Sequence, residues 1–218
     1  MYHVVAAPSA AERTLPALDV PPGQFNADLD ALAAGRWHTI TLETLATDLA
    51  NSVEPDPRTI VLTFDDGHAD GFTNVLPALQ RHGFVATFFV IGDRIGRRGY
   101  LSANQLRTMA AAGMEIGDHT LSHLDLTTLS TTGIRNQLGG DASAIAAAVG
   151  LPPATIAYPY GRVDRRVVAV ARSLGFALAV TTRAGATETT ATRLVVPRIR
   201  VSPGMTGGAL LARIESLV

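Results

Sequence analysis

Three short segments of this chain carry residue types that perform hydrolytic chemistry. Asp65 and Asp66 stand side by side ahead of Gly67, His119 and His123 bracket the segment His-Thr-Leu-Ser-His, and Tyr158-Pro159-Tyr160-Gly161 forms a proline-stiffened turn. Two imidazoles and one carboxylate are a common ligand set for zinc or another divalent ion, with positions left open for water and substrate. The i, i+4 spacing of the histidines suits one helical turn, which points both rings the same way. Position 120 is Thr, so the metalloprotease pattern HExxH is absent and a general base must come from elsewhere. The Asp65-Asp66 pair supplies a candidate. Adjacent residues at a strand end point in different directions, so one carboxylate can bind a metal while the other stays free. Taken singly, Asp65-Asp66-Gly67 and Tyr158 to Gly161 read more readily as turns, and His119 and His123 as readily as a surface or capping pair; it is their placement that joins them.

That placement follows from an alternation of apolar strands and amphipathic helices. The β-branched run TIVLTF at 59–64 reads as a strand, central in its sheet, and Asp65 follows it directly. Residues 114–117 read as a strand just ahead of His119, and 155–158 as one that runs into Pro159. Further strands are expected at 2–5, 39–42, 85–91, 177–181 and 194–201. Helices are expected at 25–34, 42–49, 70–81, 102–112, 130–149, 164–174 and 206–217, several of them closed by a glycine. Such alternation implies a parallel sheet, open or closed into a barrel. The carboxyl ends of its strands then share one side, where ligands bind, and all three polar segments fall on that side.

Hydrophobic residues make up 47% of the 218 and charged residues 17%, a core-rich globular composition in which one domain over 1–218 is expected. A net charge of −1 without a basic run argues against nucleic acid as a partner; a neutral glycan fits. The absence of cysteine removes disulfides, thiolate ligands and Cys nucleophiles. No apolar run approaches the roughly 18 residues of a membrane-spanning helix. The start Met1-Tyr2-His3-Val4-Val5 lacks the basic and apolar parts of a signal peptide. A cytoplasmic protein, or an exported one whose leader has been removed, is therefore expected.

Together these residues resemble the polysaccharide deacetylase family, also called the NodB-homology domain or carbohydrate esterase family 4. The resemblance is carried by Val61-Leu-Thr-Phe-Asp-Asp-Gly67, Pro77-Ala-Leu, Ala86-Thr-Phe-Phe-Val90, His119 to His123 and Ala157-Tyr-Pro-Tyr160, and covers nearly the whole chain. It implies an α/β fold, a distorted (β/α) barrel with seven strands instead of eight. It implies that Asp66, His119 and His123 bind a divalent metal, Zn2+ first and Co2+ or Ni2+ as alternatives. Asp65 would be the general base toward a metal-activated water, and the substrate an N-acetylated glycan that releases acetate. Pro159, Tyr160 and Gly161 would line the substrate site, with the Tyr160 N–H supporting the oxyanion.

The chain also departs from the common pattern. The Arg of the family's RxPY motif is replaced by Ala157, and no His follows His123, although the family commonly places a proton-donating His late in the chain. These departures resemble the poly-N-acetylglucosamine deacetylase subgroup, in which that last motif is moved to the N-terminus as Tyr-His, here Tyr2-His3. His3 thereby becomes the candidate general acid, the alternative being a frayed terminal residue. Arg198 and Arg200 are candidate partners for Asp65 in place of the missing Arg, or a strand's solvent-facing charges, since i and i+2 share a face. His68 is expected at the margin of the cleft, and His38 and His82 are read as structural. Two other functions stand beside the deacetylase. One is a hydrolase of a non-sugar amide or imide on the same fold, with a closed, small pocket instead of an open groove with aromatic walls. The other is a non-catalytic glycan- or metal-binding module, against which a second, free carboxylate speaks.

Overall fold

The chain builds its sheet in sequence order. In the computed structural model, which describes residues 1–7, 16–186 and 191–217, two short parallel strands, β1 (Val4–Val5) and β2 (Asp19–Val20), precede α1 (Pro22–Ala34). Then come β3 (His38–Thr39), α2 (Leu42–Ala50) and β4 (Thr59–Ile60), with β3 and β4 paired in parallel. After β5 (Thr63–Phe64), a π-helical turn at Gly71–Val75 runs into α3 (Leu76–His82). The rest alternates: β6 (Thr87–Val90), α4 (Ala103–Ala111), β7 (Glu115–Asp118), α5 (Thr131–Val149), β8 (Thr155–Ala157), α6 (Arg165–Ser173), β9 (Leu178–Ala184), β10 (Val196–Arg198) and α7 (Gly207–Glu215). Strands β5 to β10 form one all-parallel, six-stranded sheet in that order, curled into a half-barrel.

Two expectations are corrected. The main sheet has six strands, not seven, and the run 59–64 is not one central strand. It breaks into β4, which pairs with β3, and β5, which lies at the edge of the six-stranded sheet. The run is apolar because the edge is covered. Met1 and Tyr2 lie in the seam between the first and last strands. The Tyr2 N–H donates to the Thr63 carbonyl at 2.8 Å, and the Asp65 N–H to the Tyr2 carbonyl at 3.0 Å. On the other side the Val201 N–H donates to the Met1 carbonyl at 3.1 Å, and the Met1 nitrogen to the Ile199 carbonyl at 2.7 Å. The place of a seventh strand is thus filled by two residues, which satisfy the backbone groups that an open edge would leave bare.

Aromatic packing seats this segment. The Tyr2 ring, 1% exposed, stacks on Phe64 and meets Phe25 of α1 edge-on, both at 5.3 Å, and Phe64 stacks in turn on Phe88. At the opposite end of the barrel the buried Glu115 accepts from Thr87 Oγ1, Thr155 Oγ1 and the Glu43 N–H. One carboxylate thereby ties three strand starts to the first turn of α2, where negative charge is favoured. Among the described residues no helix is long and apolar enough to cross a membrane.

The Tyr2 hydroxyl donates to Asp28 Oδ2 at 3.1 Å, while Asp28 itself is fully buried in α1. Burial pushes the Asp28 carboxyl up to about 6, and the Tyr2 bond only partly opposes this. Because the folded-state value lies above the unfolded one, the resulting stability is present below about pH 4 and lost as pH rises through 6. In urea titrations across pH 4–8, wild type should lose about 2 kcal/mol that Asp28→Asn does not lose. Parallel pH curves for the two proteins would show that Asp28 does not titrate in this range.

Candidate metal and catalytic site

The site forms where β5 ends. Asp66 and Gly67 both adopt left-handed backbone, with φ of 76° and 72°, so the chain turns sharply and the two aspartates diverge. A Cβ on Gly67 would press on Val90 at 3.0–3.2 Å, so both torsion and space demand glycine there. Asp65 points into the seam and meets Arg198 at the end of β10. The guanidinium donates from Nη1 to Oδ1 at 2.8 Å and from Nη2 to Oδ2 at 2.7 Å, with further bonds to Thr63 Oγ1 and the Thr181 carbonyl. Burial pushes the Asp65 carboxyl up, but the charge and hydrogen bonds of Arg198, with smaller effects of His119 and His3, hold it well below the usual carboxylate range. Of the two arginines singled out from sequence, Arg198 alone bonds to Asp65; Arg200 lies beyond the strand end and is exposed.

Asp66 faces the two histidines. The helical turn expected for His-Thr-Leu-Ser-His does not form, because Thr120 and His123 are both left-handed, with φ of 66° and 57°. A loop replaces it, pinned from below: the His119 N–H donates to Asp141 Oδ2 and the Thr120 N–H to Asp118 Oδ1, both at 2.8 Å. Asp118 and Asp141 are fully buried neighbours, and burial raises both carboxyls, Asp141 to about 7. Sequence reasoning missed this brace, although Asp141 lies on the apolar stripe of α5 with Ile134, Leu138 and Ile145, a position that carries a signal.

The loop still brings the imidazoles together. Each Nε2 lies 3.4 Å from Asp66 Oδ1, and the three ligand atoms fall within 4.8 Å of one another. The two 3.4 Å separations match the roughly 3.3 Å between ligand atoms of a tetrahedral ion with bonds of about 2.0–2.1 Å. The His119 Nδ1 is 2.6 Å from the Ala157 carbonyl, which can only accept, so Nδ1 carries the proton and Nε2 is left free to ligate. Burial pushes His123 down to about 4. A low proton affinity of this kind keeps an imidazole available to a cation. These residues fit a divalent metal.

The other residues singled out from sequence ring this centre. His3 is not frayed: with Tyr2 anchored, its Nε2 lies 3.9 Å from Asp65 Oδ2 and its side chain is 12% exposed. Burial lowers its proton affinity, more than Asp65 and Asp66 raise it. His68 Nε2 lies 3.7 Å from Asp66 Oδ2, and its ring stacks on Tyr100 at 5.0 Å. Tyr160, left-handed with φ of 60°, is exposed and meets His123 edge-on at 4.8 Å. Pro159 is buried in the same turn, and a Cβ on Gly161 would collide with Thr182, so these two shape the turn and Tyr160 presents it. Arg94, which sequence reasoning passed over, donates to the Tyr100 hydroxyl at 2.7 Å.

A parallel half-barrel with an Asp-His-His cluster and a second carboxylate at its strand ends has the groups that metal-dependent hydrolysis uses, with the cluster a candidate cation site. The sequence model of the family described as polysaccharide deacetylase matches residues 52–179. YxkH of Bacillus subtilis, a protein named for polysaccharide deacetylation, is 30% identical over all of this chain and 75% of its own length. The deacetylase PplD of Streptococcus pyogenes, solved in complex with acetate, superposes with a TM-score of 0.89 at 28% identity over 97% of this chain and 95% of that one. IcaB from Ammonifex degensii shares the fold, with a TM-score of 0.83 at 24% identity over 97% and 94% of the two chains. The chain spans only 23–40% of the length of the chitin and peptidoglycan deacetylases that it also matches at 33–36% identity. It belongs to the polysaccharide deacetylase family and is a carbohydrate N-deacetylase.

Removing one partner of a buried ion pair leaves the other charge unpaired, at a cost of about 3–5 kcal/mol. Arg198→Ala should lose that much in denaturant titrations. Arg198→Lys, which keeps the charge but not the two-pronged fork, should fall in between. An alanine variant as stable as wild type would show that the seam does not depend on this pair.

Proposed function

We propose that the enzyme hydrolyses the acetamide of N-acetylglucosamine residues in a poly- or oligosaccharide and releases acetate. The observation that carries this reading is the division of labour at Asp65-Asp66: one carboxylate converges with two imidazoles, and the other is held apart, ionised, by Arg198. Asp66, His119 and His123 would hold the metal, Zn2+ first and Co2+ or Ni2+ next, and when bound it supplies Lewis-acid activation of water and of the amide carbonyl. Asp65 accepts the proton of the attacking water. His3, uncharged at rest, stands 3.9 Å from Asp65, placed to pass that proton to the departing nitrogen, an otherwise poor leaving group. The Tyr160 N–H steadies the developing oxyanion. The Tyr160 ring against His123 and the Tyr100–His68 stack beside Asp66 put aromatic faces next to the cluster, which favours a sugar chain over a small imide. Relatives named as chitin deacetylase and peptidoglycan-N-acetylglucosamine deacetylase support the same substrate class.

Acetate release from N-acetylglucosamine oligomers, before and after chelation and after metal restoration, tests this directly. Restorable release is expected; a rate indifferent to complete metal removal would refute the role given to Asp66, His119 and His123. Asp65→Asn should keep its metal and lose turnover. His3→Ala should lower kcat by about 100-fold with metal content unchanged, and an unaltered rate would leave His3 a packing residue.

A further inference from the structure

The two arginines that sit against the aromatic rings of the site differ in their pairing. On the Tyr160 side, Arg162 is neutralised by Asp125, its Nη1 2.7 Å from Oδ2. On the Tyr100 side, Arg94 has no carboxylate partner among the described residues, and its side chain bonds only to the Tyr100 hydroxyl. The adjacent acid, Asp93, is engaged elsewhere, accepting from Ser122 Oγ at 2.5 Å. The segment Gly92-Asp-Arg-Ile-Gly-Arg-Arg-Gly-Tyr100 carries three arginines against one aspartate in a chain whose net charge is −1, and Arg97 and Arg98 are exposed.

This basic loop is fixed relative to the site. The Asp93 N–H donates to the Leu121 carbonyl at 2.9 Å, and Ser122 bonds back to Asp93, so the loop is tied to the segment that bears both histidines. The Arg94 guanidinium lies over the Tyr100 ring at 5.1 Å, Tyr100 stacks on His68, and His68 approaches Asp66. Arg94 therefore stands two ring contacts out from the cation site, on a rigid mount, with guanidinium N–H groups still available. A guanidinium of that kind matches a carboxylate or phosphate.

We propose that Arg94 is a specificity-determining residue that binds an anionic group, carboxylate or phosphate, on a sugar neighbouring the one that loses its acetyl group, so that the preferred substrate is an anionic N-acetylated glycan. The proposal rests on the deacetylase reading above. It is tested by kcat/KM for acetate release from three probes of equal length: a neutral N-acetylglucosamine tetramer, an alternating N-acetylglucosamine–N-acetylmuramic acid tetramer, and the neutral tetramer bearing one phosphate.

Wild type should prefer one or both anionic probes by about tenfold at low salt, and which of them is preferred identifies the anion. The preference should collapse near 0.5 M NaCl, since exposed charges are then screened. Arg94→Gln should reduce the anionic-to-neutral ratio to near one. Equal rates on all three probes in wild type, or a ratio unmoved by both the substitution and salt, would overturn the role of Arg94 while leaving the deacetylase intact. Acetate from none of the probes would overturn both.

Discussion

The structure turns on one buried ion pair. Arg198 ends the last strand of the sheet and Asp65 follows the first, and the two-pronged bond between them crosses the seam that six strands leave open. The pair gives the half-barrel a latch and holds ionised, at a fixed angle, the carboxylate proposed as base. A lone carboxylate at 2% exposure would protonate or draw in water; with both oxygens on the guanidinium it does neither. The same engagement keeps Asp65 from competing with Asp66 for a cation. Met1 and Tyr2 complete the seam by hydrogen bonding both edges, which is how His3 reaches Asp65 from the far end of the sequence.

Around that latch, backbone torsion does much of the positioning. Asp66, Thr120, His123 and Tyr160 are four of the six non-glycine residues with positive φ among those described, and all four lie at the site. Conformations of this kind cost about 1–3 kcal/mol each and persist because fixed bonds hold them: Asp118 and Asp141 beneath the histidine loop, Thr182 donating to the Tyr160 carbonyl, Gly67 fitted against Val90. The other end of the barrel has the opposite character. There Glu115 accepts from Thr87 and Thr155 among residues that do not reach the site.

Much of this was legible from residue order because strand–helix alternation fixes which loops share a side. The aspartate pair, the two histidines and Tyr160 could be assigned to one face before any coordinates. Tyr2-His3 was readable only through a family likeness, since nothing local shows that a terminal histidine is anchored; the anchor is Tyr2 packing on Phe64 and Phe25, residues far off in sequence. Where the reading failed, a pattern had two physical causes. The β-branched run at 59–64 reports burial, and burial at an edge covered by Tyr2 looks the same as burial in the middle of a sheet. The i, i+4 histidines suggested a helical turn, but convergence was achieved by two left-handed residues, which no periodicity reveals. Arg198 and Arg200 were indistinguishable by alternation, and the end of β10 between them decided the matter.

The seam has a consequence for how the protein matures. The groups that meet there come from residues 1–3, 63–65 and 198–201, so their contacts close long loops, 133 residues from Asp65 to Arg198 and 198 from Met1 to Ile199. Contacts of such separation are slow to form and come after local helices and neighbouring strand pairs. Until the last strand docks, Asp65 lacks its Arg198 partner. Competence is therefore expected to arrive late in folding, when the two ends of the chain meet.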